Sequence, residues 1–105
     1  MFVIFEKEYL RDLYEKGKTN DKKYRFQPDI IGKYRKRIKT LQDAERVEDL
    51  FTINSLNYEV LKGDKAGISS VRVNKQYRVE FTVRDSDGET FVTVCNIIEL
   101  SNHYK

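Results

Sequence analysis

The chain has one cysteine, one histidine and one proline in 105 residues. A lone cysteine, Cys95, excludes an internal disulfide and a cysteine-rich metal site. A lone histidine, His103, gives no basis for a Ser-His-Asp set, and no His/Cys/carboxylate cluster has zinc-ligand spacing. No apolar run approaches the roughly 18 residues of a membrane span. Met1-Phe2-Val3-Ile4-Phe5 gives way at once to Glu6, without the basic-then-apolar order of a secretory signal. The expectation is a cytoplasmic protein with no membrane partner, no metal and no cofactor.

Charge is what the chain has in abundance. Charged residues make up 35% of it and hydrophobic residues 39%. At this length one domain, residues 1–105, is expected. From Lys16 to Lys39 there are ten Lys/Arg against two Asp/Glu, a local net of +8, which leaves −5 for the rest of a chain totalling +3. Such polarity points to a face that meets polyanions. Lys33, Arg35, Lys36, Arg37 and Lys39 are its candidate phosphate-binding residues.

Periodicity supplies the elements. Residues 1–5 have strand composition. Leu10, Leu13 and Tyr14 fall at helical spacing, with Gly17 as a stop. A basic loop follows. Pro28 suits the first position of a second helix, whose stripe of Ile30, Tyr34, Ile38 and Leu41 carries it to about Leu41. A further turn or two follows, with Asp43 as candidate cap. After that the chain is strand-like, rich in Val, Ile, Tyr, Phe and Thr with turn residues between. The fold class expected is α+β: two N-terminal helices packed on one face of a twisted antiparallel β-sheet meander.

The hairpin Ser70-Val71-Arg72-Val73-Asn74-Lys75-Gln76-Tyr77-Arg78-Val79-Glu80-Phe81 permits a register argument. One-sided burial fixes register, because a one-residue slip inverts every side chain. Placing both apolar sets on one face pairs Val73 with Tyr77 and Val71 with Val79, around a three-residue loop. Arg72 then faces Arg78, and Ser70 faces Glu80. Like charges across a sheet destabilise it. The pair makes sense around a phosphate, which guanidinium groups grip in bidentate fashion; the alternative is neutralisation by Glu80, Asp64 or a helix end. Arg78 should sit on a central strand. Closing the next hairpin by Arg84–Glu89 or Ser86–Glu89 would put Val92 and Val94 on the apolar face, with Thr93 and Cys95 on the arginine face. Asp85-Ser86-Asp87-Gly88 lacks the ligand series of a calcium loop and reads as a turn. Gly63-Asp64-Lys65-Ala66-Gly67 lacks the Gly-Lys-Ser/Thr of a phosphate-binding loop and reads likewise.

The run from Leu56 to Phe81 resembles the HigB branch of the RelE/ParE toxin superfamily, the plasmid maintenance killer proteins. The residues that carry the likeness are Leu61-Lys62-Gly63-Asp64, Gly67, Ser70-Val71-Arg72-Val73-Asn74, Gln76-Tyr77-Arg78-Val79 and Phe81. The order of helices, then sheet, then an aromatic/His tail also fits. Two positions depart from the family pattern. Glu59-Val60 stands where His-Pro is common before Leu-Lys-Gly, and Asn102-His103-Tyr104 stands where members end in Asp-Tyr-His.

The resemblance implies a toxin of a type II toxin-antitoxin system that cuts messenger RNA in the ribosomal decoding site. It implies a HigA-like helix-turn-helix antitoxin as partner, with operator DNA reached only through that antitoxin, and with ribosomal RNA and messenger RNA as the nucleic acids contacted. It implies catalysis on the open sheet face by Lys62, Arg78 and the tail. Metal-independent RNA cleavage needs a base for the 2′-OH, cations for the phosphorane and an acid for the leaving oxygen. Arg78 is expected to stabilise charge, with Arg72 assisting or binding a neighbouring phosphate. Lys62 either adds to the charge stabilisation or acts as base, His103 is the natural acid or base, and Tyr104 either stacks on a nucleobase or takes part in proton transfer. The alternatives are a ParE-like gyrase poison that cuts no RNA and a plain RNA-binding domain.

Overall fold

The computed structural model describes residues 1–86 and 92–102. Its elements are strand β1 (Phe2–Phe5), helices α1 (Glu8–Glu15) and α2 (Pro28–Asp43), and strands β2 (Glu59–Val60), β3 (Ser69–Arg72), β4 (Tyr77–Asp85) and β5 (Thr93–Asn102). Short 3-10 turns at Val47–Leu50, Asn54–Leu56 and Gly63–Lys65 fill the connections. The two helices pack on one face of the sheet, so the expected α+β class holds.

Each helix follows its apolar stripe. Tyr9, Leu10 and Leu13 of α1 are buried, and so are Ile30, Tyr34, Ile38 and Leu41 of α2. Burying such a side chain is worth about 1.5–3 kcal/mol, and α2 would not persist in water without that cover. Pro28 opens α2 as its first helical residue. Past α1, Gly17 takes φ +74°, a left-handed stop that favours glycine. The Tyr34 hydroxyl donates to the Leu10 carbonyl at 2.7 Å and ties the helices together. At the end of α2 the Met1 ammonium donates to the carbonyls of Leu41, Gln42 and Ala44, where a helix leaves acceptors unmet. Asp43 ends α2 and does not cap the following turn. That turn is capped by Asp49, whose carboxylate accepts from the Glu45 and Arg46 amides.

The sheet order is β1-β5-β4-β3-β2. β2 to β5 form the expected antiparallel meander, and β1 joins it parallel to β5, making the sheet mixed. The β3–β4 register is the one the apolar alternation requires: Val71 with Val79, Arg72 with Arg78, Ser70 with Glu80. Val73 accordingly donates to Tyr77 at 2.9 Å.

The β4–β5 register differs from expectation. Arg84 pairs with Val94 and Val83 with Cys95. That is out of step by an odd number of residues with both pairings expected of Glu89, which itself lies outside the described residues. Side chains from Thr93 to Ile97 therefore change face. Cys95 is fully buried in the helix-side core, Thr93 pairs with Asp85, and Val94 stands with Arg84 on the arginine side. The cause is loop length, since the last described contact joins the Ser86 amide to the Val92 carbonyl. A second irregularity lies deeper: Glu80 pairs with Glu99 but Phe81 with Ile97, leaving Ile98 as a bulge.

Candidate active site and basic cleft

β4 is the middle strand, flanked on both sides, so Arg78 is held by the most constrained backbone in the sheet. Its residue is only 8% exposed. Asn57 and Glu59, from the segment that precedes β3, lie against its guanidinium. The Arg78 Nε donates to the Ser70 hydroxyl at 2.8 Å, and its Nη2 donates to the Asn57 and Ser70 carbonyls. Glu59 of β2 brings a half-exposed carboxylate to 3.8 Å from Nε. Ser101 of β5 stands opposite Arg78 on the other side.

Asn57 is the one non-glycine with positive φ (43°) among the described residues. Asn tolerates the left-handed region better than most side chains. The twist ends the 3-10 turn before it and puts the Asn57 carbonyl on the Arg78 guanidinium. Such strained positions concentrate where geometry must be held to a fraction of an ångström.

Glu80, the suspected neutraliser of the arginines, is taken by another residue. Lys65 Nζ bonds both of its carboxylate oxygens, at 3.1 and 2.9 Å, and lies 3.9 Å from Glu99. The hydrogen bond to Glu80 raises the Lys65 pKa, so this lysine stays cationic. Gly63, at φ +68°, makes the turn that brings Lys65 over the sheet. Lys62, by contrast, is exposed and forms no hydrogen bond or ion pair within the described residues. His103 and Tyr104 lie outside the described residues.

Arg72 has a different setting. Its Nε donates to the Asn74 carbonyl at 3.1 Å, while its own carbonyl accepts from Arg37 Nε at 2.7 Å. The two arginines thus share a register but not their partners. Arg72, Lys33, Lys36, Arg37 and Lys75 line an open cleft of about 550 Å³ between α2 and the β3–β4 hairpin, with no acidic residue in its wall. Burial, and then the Arg72 charge, lowers the Arg37 pKa. The other two residues of the basic stripe have partners among the described residues. Arg35 Nε donates to the Tyr14 carbonyl at 2.9 Å, serving the end of α1, and Lys39 pairs with Asp43 at 3.3 Å.

Asn57 and Lys65 were not singled out from the sequence, and Glu59 was noted only as a departure from the family pattern, with no role at the site. The signal for Glu59 was the β2–β3 pairing, which sets Glu59, Ser70 and Glu80 in one row beside Arg78. A two-residue strand is too short for periodicity to reveal its register.

Two helices on one face of this five-stranded sheet are an architecture that a solved toxin shares. The whole architecture superposes on the YoeB/ParE toxin from Agrobacterium tumefaciens with a TM-score of 0.59, covering 99% of this chain and 100% of that one at 22% identity. The sequence narrows the class. Residues 3–93 match the model of the HigB-like toxins, described as RelE-like toxins of type II toxin-antitoxin systems. Toxin HigB-1 of Vibrio cholerae serotype O1 is 35% identical over 83 residues, which span 77% of this chain and 82% of that protein. The chain belongs to the HigB-like toxin family, and a cognate antitoxin is its implied partner. No helix among the described residues is long and apolar enough to cross a membrane.

Proposed function

We propose that the protein is a ribosome-dependent endoribonuclease that cleaves translated messenger RNA and is neutralised by a HigA-like helix-turn-helix antitoxin, through which alone it reaches operator DNA. The observation that carries this reading is Arg78: a buried guanidinium, fixed by Ser70 and Asn57 on the middle strand, with a half-exposed carboxylate beside it. A cation held this rigidly needs no reorganisation when charge builds on a phosphorane.

In the reaction the 2′-oxygen loses its proton, attacks phosphorus and expels the 5′-oxygen. The products are a 2′,3′-cyclic phosphate and a 5′-hydroxyl. Arg78 stabilises the added negative charge. Among the described residues Glu59 is the carboxylate nearest the Arg78 guanidinium, and it takes the 2′-OH proton. His103 and Tyr104, which follow β5 in sequence, are assigned to the leaving oxygen, and Lys62 to a neighbouring phosphate. Lys33, Lys36, Arg37, Arg72 and Lys75 bind ribosomal RNA phosphates through the acid-free cleft.

Primer extension on messenger RNA after induction tests the reading. Cuts within translated codons, absent from untranslated transcripts, are the expected result. Intact message with damaged DNA would replace the nuclease with a gyrase poison, and neither outcome would leave a binding domain.

A further inference from the structure

Five large hydrophobic residues are exposed among those described, and three of them, Phe51 (56%), Ile53 (37%) and Val60 (54%), line one pocket. The pocket is open to solvent and offers about 440 Å³, within the ~300–1,000 Å³ typical of small-ligand sites. Glu59 and Asn57 form its wall toward the sheet. We propose that this pocket holds a nucleobase of the RNA substrate, the one flanking the cleaved phosphate. The proposal rests on the nuclease reading and deepens it.

The pocket has the parts that single-stranded RNA recognition uses: an aromatic face for stacking and amide groups for base edges. Tyr58 is anchored, its hydroxyl 2.9 Å from Ser69 Oγ and its ring 6.4 Å from Phe81. Phe51 leans on Tyr58 at 5.1 Å and keeps more than half its surface in solvent. Asn54 and Asn57 each carry an amide donor and acceptor at the rim.

Continuity selects RNA over a protein partner as the occupant. Glu59 both lines the pocket and pairs with Arg78, and the Asn57 carbonyl bonds Arg78 while its residue lines the pocket. A base seated on Phe51 is therefore one shared wall away from the phosphate that Arg78 would hold. A protein partner would use the apolar surface but has no need of this adjoining wall.

The chain contains no tryptophan, so Phe51→Trp introduces a lone emitter into the pocket. The first probe is an RNA trinucleotide with a 2′-deoxy sugar at the cut position, compared with one lacking the flanking base. Quenching by the first, and about ten-fold weaker binding of the second, is expected. The second probe is the cleavage-site profile in a translating extract. Phe51→Ala should lose about ten-fold in cleavage and flatten the nucleotide preference beside the cut, while Phe51→Tyr keeps both. Equal binding of the two oligonucleotides, with an unchanged Phe51→Ala profile, overturns the pocket and leaves the nuclease standing. A wild-type protein that cuts no message overturns the nuclease and the proposal with it. Normal cutting by Phe51→Ala with lost neutralisation by antitoxin assigns the surface to a protein and also overturns the proposal. Thermal melts of all variants control for folding, which truncation of so exposed a ring should barely disturb.

Discussion

Arg72 and Arg78 are the same residue type, directly paired across one hairpin, and the molecule uses them in opposite ways. Arg78 is buried and hydrogen-bonded with a carboxylate alongside. Arg72 is half-buried and stands among four other cations. A guanidinium in the first setting has fixed geometry and a partly cancelled field. In the second it has a strong summed field, suited to drawing in a polyanion. Position on a strand thus does not assign a role; the segments that cross over the sheet do.

The largest effect should come from breaking the fixed arginine. Arg78→Ala is expected to lower messenger cleavage by about 10²-fold or more, and Arg78→Lys should recover little, because one ammonium cannot reproduce the forked hydrogen bonds to Ser70 and Asn57. Full toxicity of the Ala variant at equal folded concentration would remove Arg78 from the mechanism. Glu59→Gln should cost on the order of 10²-fold in cleavage, and Glu59→Asp should recover part of it. An unchanged rate for the Gln variant would remove Glu59 as the base.

The cationic side should respond to salt. Combining Lys33→Ala, Lys36→Ala and Lys75→Ala should weaken ribosome association. The slope of log affinity against log salt should flatten by ~0.7 for each RNA phosphate no longer neutralised. Cleavage at saturating ribosomes should be spared. An unchanged slope would leave the cleft without a polyanion.

Backbone strain gives a smaller effect. Asn57→Gly relieves the left-handed conformation and should leave stability nearly unchanged, whereas Asn57→Val is expected to cost ~1–3 kcal/mol in denaturant melts. Equal melts for the two would show that the φ of +43° carries no strain.

The smallest concerns Cys95. Burial pushes its thiol up to about 12, so the folded state retains a proton that the unfolded chain releases above the ordinary value of 9.0. Its contribution is fully present below pH 9 and is lost as pH rises toward 12. A Cys95→Ser control should shallow the alkaline fall in stability. Native protein should resist thiol alkylation at neutral pH, and rapid modification would contradict the core placement.

The sequence was most legible where burial is one-sided over several residues. The α2 stripe and the β3–β4 hairpin obey that condition, and both came out residue for residue. Cys95 and Val94 were misplaced because face depends on loop parity, and the length of the β4–β5 loop cannot be read from alternation. At the candidate site Arg78 was legible through the oddity of two facing arginines. Glu59 and Lys65 were not, because their places depend on how segment 57–67 folds back, which tertiary packing decides.

Ile98 makes β5 a strand with a fault line. A regular ladder continued from Phe81–Ile97 would set Glu99 against Val79 in the core and Leu100 beside Arg78. The extra residue admits Leu100 to the interior and turns Glu99 back toward Lys65. Deleting Ile98 would close the fault and keep every other pairing. Deleting one residue between Glu99 and Asn102 would instead carry the mismatch to Arg78. Within this strand, one position tolerates a change of length, and its neighbours do not.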